Sequence, residues 1–140
     1  YYFMKYIKTL ITILFITFLS SPSWSETVTF DDLVKRSELY YKKFTDTPFT
    51  GEISGTEAGK FKKGIKEGPW KEYHESGQLK IKSFYKNGKL EGTRKGWWDN
   101  GQLKHEYTYN QNKFDGPYRK YTKEGELVEE KIYKDGRVIN

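Results

Sequence analysis

The chain has 140 residues, no cysteine and a formal net charge of +6, which is the size of one small domain. Its charged content of 31% and mean hydropathy of -0.90 allow only a thin core, so most of the apolar surface must come from the 18% of aromatic residues. The absence of cysteine excludes a disulfide framework, a lipid-anchor cysteine and a thiolate metal site within this sequence.

Residues 1–25 have the pattern of a secretory signal. Met4 opens a short basic segment, residues 10–19 are an apolar run, and a small-x-small cleavage site ends at Ser25. Residues 1–3 precede the expected start at Met4. We expect cleavage after Ser25 and export to the periplasm or the medium, with an uncleaved anchor as the alternative.

Residues 26–48 form the expected N-terminal cap. The acidic pair at 31–32 favours a short helix, whereas residues 39–41 are typical of a strand that follows a turn at 37–38. Pro48 holds the residue before it in an extended conformation. We therefore expect a short hairpin that leads into the rest of the chain.

A period of 24 residues organises the chain from residue 49 onward. The full units are 61–84, 85–108 and 109–132, between a degenerate unit at 49–60 and a partial one at 133–140. A fixed period of this length indicates a repeat array. The aligned columns are Phe61, Tyr85, Tyr109 and Tyr133; Gly64, Gly88, Asn112 and Gly136; Gly68, Gly92 and Gly116; Tyr73, Trp97 and Tyr121; and Gly77, Gly101 and Gly125.

Each unit contains two extended runs, which in the first unit are 69–75 and 78–86. Ser-Gly closes the first run, and a longer connection at 87–92, with a glycine near each end, follows the second. Asn-Gly and Asp-Gly dipeptides favour tight hairpin turns, and no helical periodicity competes. The predicted fold class is all-β: an elongated antiparallel meander of repeated β-hairpins that forms an open single-layer sheet.

Alternation along the strands sorts side chains onto two faces. One face repeats faithfully and is basic and aromatic, so we expect its aromatic column to be scaffold and its cations to be available to anionic groups. The alternative is that lysine stems only cover rings and keep the sheet soluble. This face carries Lys71, Lys95, Arg119, Tyr73, Trp97 and Tyr121.

The other face varies between repeats, and large aromatic residues without a repeated packing role are frequent binding anchors. We therefore take four of its residues as candidates for contact with a partner. They are Trp70, Trp98, Tyr118 and Arg94.

No catalytic, nucleotide-binding or metal-binding motif is present. His74 and His105 lie on different hairpins, where we expect solvated positions. The acidic pairs at 31–32 and 129–130 have no predicted cleft, and neighbours on a strand point to opposite sides. We expect no enzymatic activity, no cofactor, no metal and no nucleic-acid partner.

The units, GPWKEYHESGQLKIKSFYKNGK and its copies, resemble the MORN repeat variant, including the repeats of YwqK-type antitoxin proteins. The likeness covers about residues 49–136. It implies an elongated sheet of hairpins that acts as a scaffold, and related repeats are associated with membrane lipids, protein partners and self-association. The antitoxin label implies binding and neutralising a toxin in a cytoplasmic setting, whereas the signal-like start indicates export.

These expectations converge on a non-catalytic, exported protein that binds a protein partner at the cell envelope. One alternative is a module that associates with membrane lipid or glycan through the basic face. Another is an antitoxin or immunity protein. Self-association through an edge strand at 138–140 is a further possibility.

Overall fold

The computed structural model describes residues 27–139, so the expected signal segment lies outside the described residues. One turn of 3-10 helix spans Phe30–Asp32, and nearly all other regular structure is β. The strands are β1 Leu33–Arg36, β2 Leu39–Lys42, β3 Gly51–Ile53, β4 Glu57–Lys62, β5 Ile65–Tyr73, β6 Leu79–Lys86, β7 Lys89–Leu90, β8 Gly92–Trp97, β9 Leu103–Asn110, β10 Lys113–Tyr121, β11 Leu127–Lys134 and β12 Arg137–Val138.

The strands form one small sheet and one long sheet. β1 and β2 make an antiparallel hairpin, and β3 to β12 form a ten-stranded antiparallel sheet in which spatial order follows chain order, with β7 pairing only to β6. The predicted meander of repeated hairpins is confirmed. A 3-10 turn and a hairpin both occur in the N-terminal cap.

One turn of each repeat is a two-residue hairpin turn. Lys63 and Gly64 have φ of 51° and 79°, and the equivalent pairs at 87–88, 111–112 and 135–136 have similar values. Positive φ at both central residues defines a type I′ turn, which Gly and Asn adopt readily. Asn112, with φ of 70°, therefore replaces the turn glycine. The expected long connection at 87–92 is wrong, because β7 begins directly after the turn.

A glycine near the middle of each repeat marks a break in strand register. β4 pairs Lys60 with Glu67 and then Ala58 with Lys71, so β5 carries two extra residues around Gly68, whose φ is 75°. β10 shows the same slip before Tyr118. Bulges of this kind bend a strand and redirect the side chain that follows. The repeated glycine therefore sets the direction of the next large residue.

The tightest packing lies where the cap meets the first repeat. Phe61 and Trp70 are 0% and 2% exposed, and Leu33 and Ile53 complete the buried cluster. The cap is also fixed through its backbone, because the Tyr40 N–H donates to the carbonyl oxygen of Gly64 at 2.8 Å. The array is thus anchored at this end by both apolar burial and hydrogen bonds.

Hydrogen bonds from side chains connect successive repeats. The His74 ring Nε2 lies 3.2 Å from the Trp97 carbonyl oxygen, and one repeat later the Trp98 indole Nε1 donates to the Tyr121 carbonyl oxygen at the same distance. At the opposite edge, the Glu67 carboxylate accepts from the backbone N–H of Asn87 at 2.7 Å. Both edges of the sheet are therefore joined repeat to repeat.

Candidate binding face

Strand register assigns Trp70 and Tyr118 to the same side of the long sheet, which we call the inner face. Trp70 lies opposite Ser83, and Tyr118 lies opposite Tyr107. The opposite side, which carries Lys71, is called the outer face. All aromatic ring contacts in residues 27–139 that involve the long sheet are made on the inner face.

The first half of the inner face is covered. Tyr40 of the cap lies 4.9 Å from Phe61 between ring centroids, and Phe61 meets Trp70 edge to face at 5.1 Å. Gly59 leaves room for the indole, since a Cβ there would collide with the Trp70 ring. We call this group the covered cluster: Phe30, Tyr40, Phe49, Phe61, Trp70 and Tyr85.

Within residues 27–139, no segment covers the second half of the same face. The rings of His105, Tyr107 and Tyr118 stack in parallel, with centroids 4.4 and 4.3 Å apart. Phe114 packs against four tyrosines, and every ring in the group is only half-buried. We call this group the open cluster: His105, Tyr107, Tyr109, Phe114, Tyr118 and Tyr133.

Burial also changes acid–base behaviour in the open cluster. It lowers the pKa of His105 to about 4, helped by the positive charges of Arg94, Lys104 and Lys120. It raises the pKa of Tyr107 to about 12, together with the hydrogen bond to Tyr118. His105 is therefore a neutral, half-buried ring at physiological pH, and the expectation of a solvated position is wrong.

The four candidate contact residues have different environments. Trp70 is 2% exposed, so its predicted role as an accessible binding anchor is wrong: the cap buries the ring within the core. Tyr118 belongs to the open cluster, and Arg94 lies between the two clusters at the equivalent repeat position. Trp98 is half-buried at the end of the sheet. The part of Tyr118, Arg94 and Trp98 in partner contact stays a prediction.

Trp98 lines a shallow cleft of about 310 Å³. The Lys104 and Lys123 ammonium nitrogens lie 4.2 and 5.6 Å from the centre of its ring, and Lys123 also pairs with Asp99 at 2.9 Å. His74 and His105 reach the same cleft. Two lysine side chains and a backbone carbonyl already contact the indole, so these contacts explain why a tryptophan stands at position 98.

The predicted basic column on the outer face is largely neutralised. Lys95 pairs with Glu106 at 3.2 Å, and Arg119 pairs with Glu130 at 2.7 Å, each with the residue opposite on the next strand. Lys71 instead lies opposite Lys82, and neither forms an ion pair with a described residue. Within this column, Lys71 is thus the residue whose positive charge has no carboxylate partner among the described residues.

The repeated aromatic column is not a stack. A register shift directly precedes Tyr73, Trp97 and Tyr121, and each then pairs with a leucine. In residues 27–139, none of their rings makes a ring contact with another aromatic residue. The rings of this column therefore do not stack on one another, and the part of the column in the scaffold stays a prediction.

Two glycines of the site were not predicted from the sequence, although a signal for them was present. Gly59 and Gly96 lie under the rings of Trp70 and His105, where a Cβ would collide. A small residue opposite a large ring on the neighbouring strand is a recognisable pairing. Finding it requires the strand register, which the repeat period alone does not supply.

Metal and membrane features are limited in the part of the chain that the structure describes. Within residues 27–139, no three His, Asp or Glu side chains converge on a point that could hold a metal ion. The same residues include no helix with the length and apolar character needed to cross a membrane.

The sheet and its periodic turns define a β-hairpin repeat protein. The family model of the MORN repeat variant matches three consecutive repeats, at residues 66–89, 90–111 and 114–135. The chain belongs to the MORN repeat variant family. Such repeats are commonly non-catalytic modules that bind proteins or membranes. No curated protein and no solved structure gives a significant match to the chain.

Proposed function

We propose that this protein is a non-catalytic scaffold that binds a segment of another protein on the open cluster of its inner face. One observation carries the proposal: the cap covers this face in the first repeat, whereas no segment of residues 27–139 covers it in the later repeats. Tyr109, Tyr118 and Tyr133 stand two repeats after Phe61, Trp70 and Tyr85. The cap covers these positions in the first repeat, and a partner can cover the equivalent positions in the later repeats.

The chemistry of the face favours a protein segment with acidic side chains. Large aromatic rings in partly desolvated surroundings are the usual anchors of protein interfaces. Arg94, Lys104 and Lys120 carry positive charge near His105 in the open cluster, and the Glu129 carboxylate pairs with both Lys120 and Lys131. The electrostatic balance is therefore positive, which complements an acidic partner. Neutralisation of a toxin would be one form of such binding.

A photo-crosslinking experiment tests the proposal. A benzophenone amino acid replaces Tyr118 on the inner face or, as a matched control, Phe84, an aromatic residue that is 44% exposed on the outer face. We expect crosslinks to one protein from position 118 and not from position 84, and direct binding when that protein is purified. Crosslinks only from position 84 would move the binding surface to the outer face.

Export is the second part of the proposal and is supported by the signal-like pattern at residues 1–25. We expect the mature protein in the cell envelope fraction to begin at Glu26. N-terminal sequencing of the purified protein decides this. A protein that retains residues 4–25 in the cytoplasmic fraction would remove the cell envelope from the proposal and leave the binding surface unaffected.

One observation favours a second candidate function, association with an anionic membrane or glycan surface. Lys71 and Lys82 face each other on the outer face without a carboxylate partner among the described residues, and exposed cations of this kind attract anionic headgroups. Binding to vesicles of phosphatidylglycerol should then fall steeply with salt and be lost in a Lys71→Gln/Lys82→Gln variant. Unchanged vesicle binding by that variant would remove this candidate. Self-association through β12 stays a prediction.

A further inference from the structure

Arg94 occupies a repeat position that holds an aromatic residue in the neighbouring repeats. The equivalent residues are Trp70 one repeat earlier and Tyr118 one repeat later, and both are packed among other rings. Arginine at this position interrupts the aromatic row between the covered cluster and the open cluster. A substitution of this kind weakens the packing of the row, so it requires a compensating role.

The guanidinium of Arg94 has no carboxylate partner. The side chain is half-buried, yet it forms no ion pair, hydrogen bond or ring contact with any residue in 27–139. Several other cations of the sheet are paired, as Lys95 is with Glu106 and Lys120 with Glu129, whereas Lys71 and Lys82 on the outer face form no ion pair with a described residue. A half-buried arginine without an anion is unusual, because removing its charge from water is costly unless a partner compensates.

The neighbours of Arg94 would suit an anion. The register that pairs Lys82 with Lys95 brings the buried Ser83 beside Arg94, and β9 places Tyr107 on its other side. Along its own strand the inner-face neighbours are Gly92 and Gly96, and a Cβ at Gly92 would meet open space. The space beside Arg94 is therefore open over Gly92, whereas the His105 ring covers Gly96.

The positive charge of Arg94 acts on residues of both clusters. At Tyr85 and Tyr109 the charge of Arg94 lowers the pKa, but burial has a larger effect and raises it. At His105 the charge of Arg94 and burial both lower the pKa. These residues belong to both clusters, so the charge lies where a segment on the open cluster would continue toward the cap. The planar guanidinium fork matches a carboxylate, which it can bind through two parallel hydrogen bonds.

We infer that Arg94 is the specificity residue of the inner face and binds a carboxylate side chain of the partner segment while the open cluster receives an adjacent aromatic or aliphatic side chain. This inference rests on the proposed binding to the inner face and names the chemistry of the partner: an acidic and aromatic protein segment.

Peptide binding tests the inference on the protein itself. The probe is a fluorescent peptide of alternating aspartate and phenylalanine, and its control carries asparagine in place of aspartate. We expect the aspartate peptide to bind about tenfold more tightly, since a charge-assisted hydrogen-bonded pair contributes about this much. Arg94→Gln should make the two affinities equal, and Arg94→Lys should retain part of the difference. Lys120→Gln, which removes a cation already paired with Glu129, should retain most of it.

A second variant separates binding from folding. Arg94→Tyr restores the aromatic residue of the neighbouring repeats, so we expect an unfolding temperature equal to or above that of the original protein, together with loss of aspartate discrimination. Discrimination that survives Arg94→Gln, or equal or undetectable binding of both peptides to the unaltered protein, overturns the carboxylate assignment. Binding to phosphatidylglycerol vesicles that Arg94→Gln removes, without peptide discrimination, assigns the residue to a lipid phosphate and also overturns it. The crosslink from position 118 tests the proposed binding to the inner face independently of the carboxylate assignment.

Discussion

The covered cluster and the open cluster occupy the same columns of the same sheet face, yet they differ in burial. Trp70 is almost completely enclosed, whereas Tyr118, two repeats later, is only half-buried. The difference arises from the cap, which places Phe30, Tyr40 and Phe49 over one end. A repeated side chain can therefore be core in one unit and surface in another, and the flanking segment decides which.

The largest expected effect is at the centre of the covered cluster. Trp70→Ala should lower the free energy of unfolding by about 3–5 kcal/mol, because it removes the largest buried ring and leaves a cavity beneath the cap. Tyr118→Ala should lower it by only about 1–2 kcal/mol, since solvent already reaches that ring. Denaturant titration measures both. Equal losses would contradict the distinction between the two clusters.

The glycines beneath the two rings allow a finer comparison. Gly59→Ala should destabilise the protein by about 1–3 kcal/mol, because the new methyl group collides with an enclosed indole. Gly96→Ala introduces a similar collision with His105 but should have a smaller effect, because that half-buried ring can move outward. Thermal unfolding of both variants provides the measurement. A larger effect at Gly96 would show that the open cluster is the more rigid of the two.

His105 links the open cluster to pH. Its pKa in the folded protein is about 4, below the ordinary value of 6.5, so the unfolded chain binds the proton more readily. Folding stability from this residue is complete above about pH 6.5 and is lost as the pH falls toward 4. Screening limits the effect to the order of 1 kcal/mol.

The control for this pH dependence is His105→Phe, which keeps the ring and removes the titration. The difference in unfolding free energy between the two proteins should grow as the pH is lowered from 6.5 to 4. A difference that does not change over this range would mean that His105 is protonated equally easily in the folded and unfolded states.

The smallest expected effect lies on the outer face. Arg119→Gln breaks an exposed ion pair with Glu130 and should leave the unfolding free energy unchanged within error, because water screens such pairs strongly. Denaturant titration beside the inner-face variants gives the comparison. A clear loss of stability would mean that the outer face supports the sheet as much as the aromatic rows do.

The fold could be predicted from the sequence because it depends on local signals. The 24-residue period, the turn dipeptides and the alternation of residue types each indicate hairpins, and each acts within a few residues of the chain. The open meander follows when successive hairpins pair with their neighbours, as β5, β6 and β8 do.

The faces could not be assigned in the same way, because two distant effects decide them. Bulges at each repeat shift the strand register directly before Tyr73 and its equivalents, and they depend on how many residues the partner strand contributes. The burial of Trp70 depends on the cap, which lies outside the repeats. Faithful repetition therefore indicated conserved geometry within this chain but not which side is packed.

Strand order in the long sheet follows chain order, so each strand touches mainly its immediate neighbours along the sequence. Mechanically, the hairpins of the array can therefore separate one after another. A force applied across the strands would load one hairpin at a time and peel it away, rather than shear many hydrogen bonds together. Within residues 27–139, peeling should start at the hairpins that no described segment covers and stop longest at β4 and β5, where the cap holds the chain. A partner bound over the open cluster would then act as a clamp against extension.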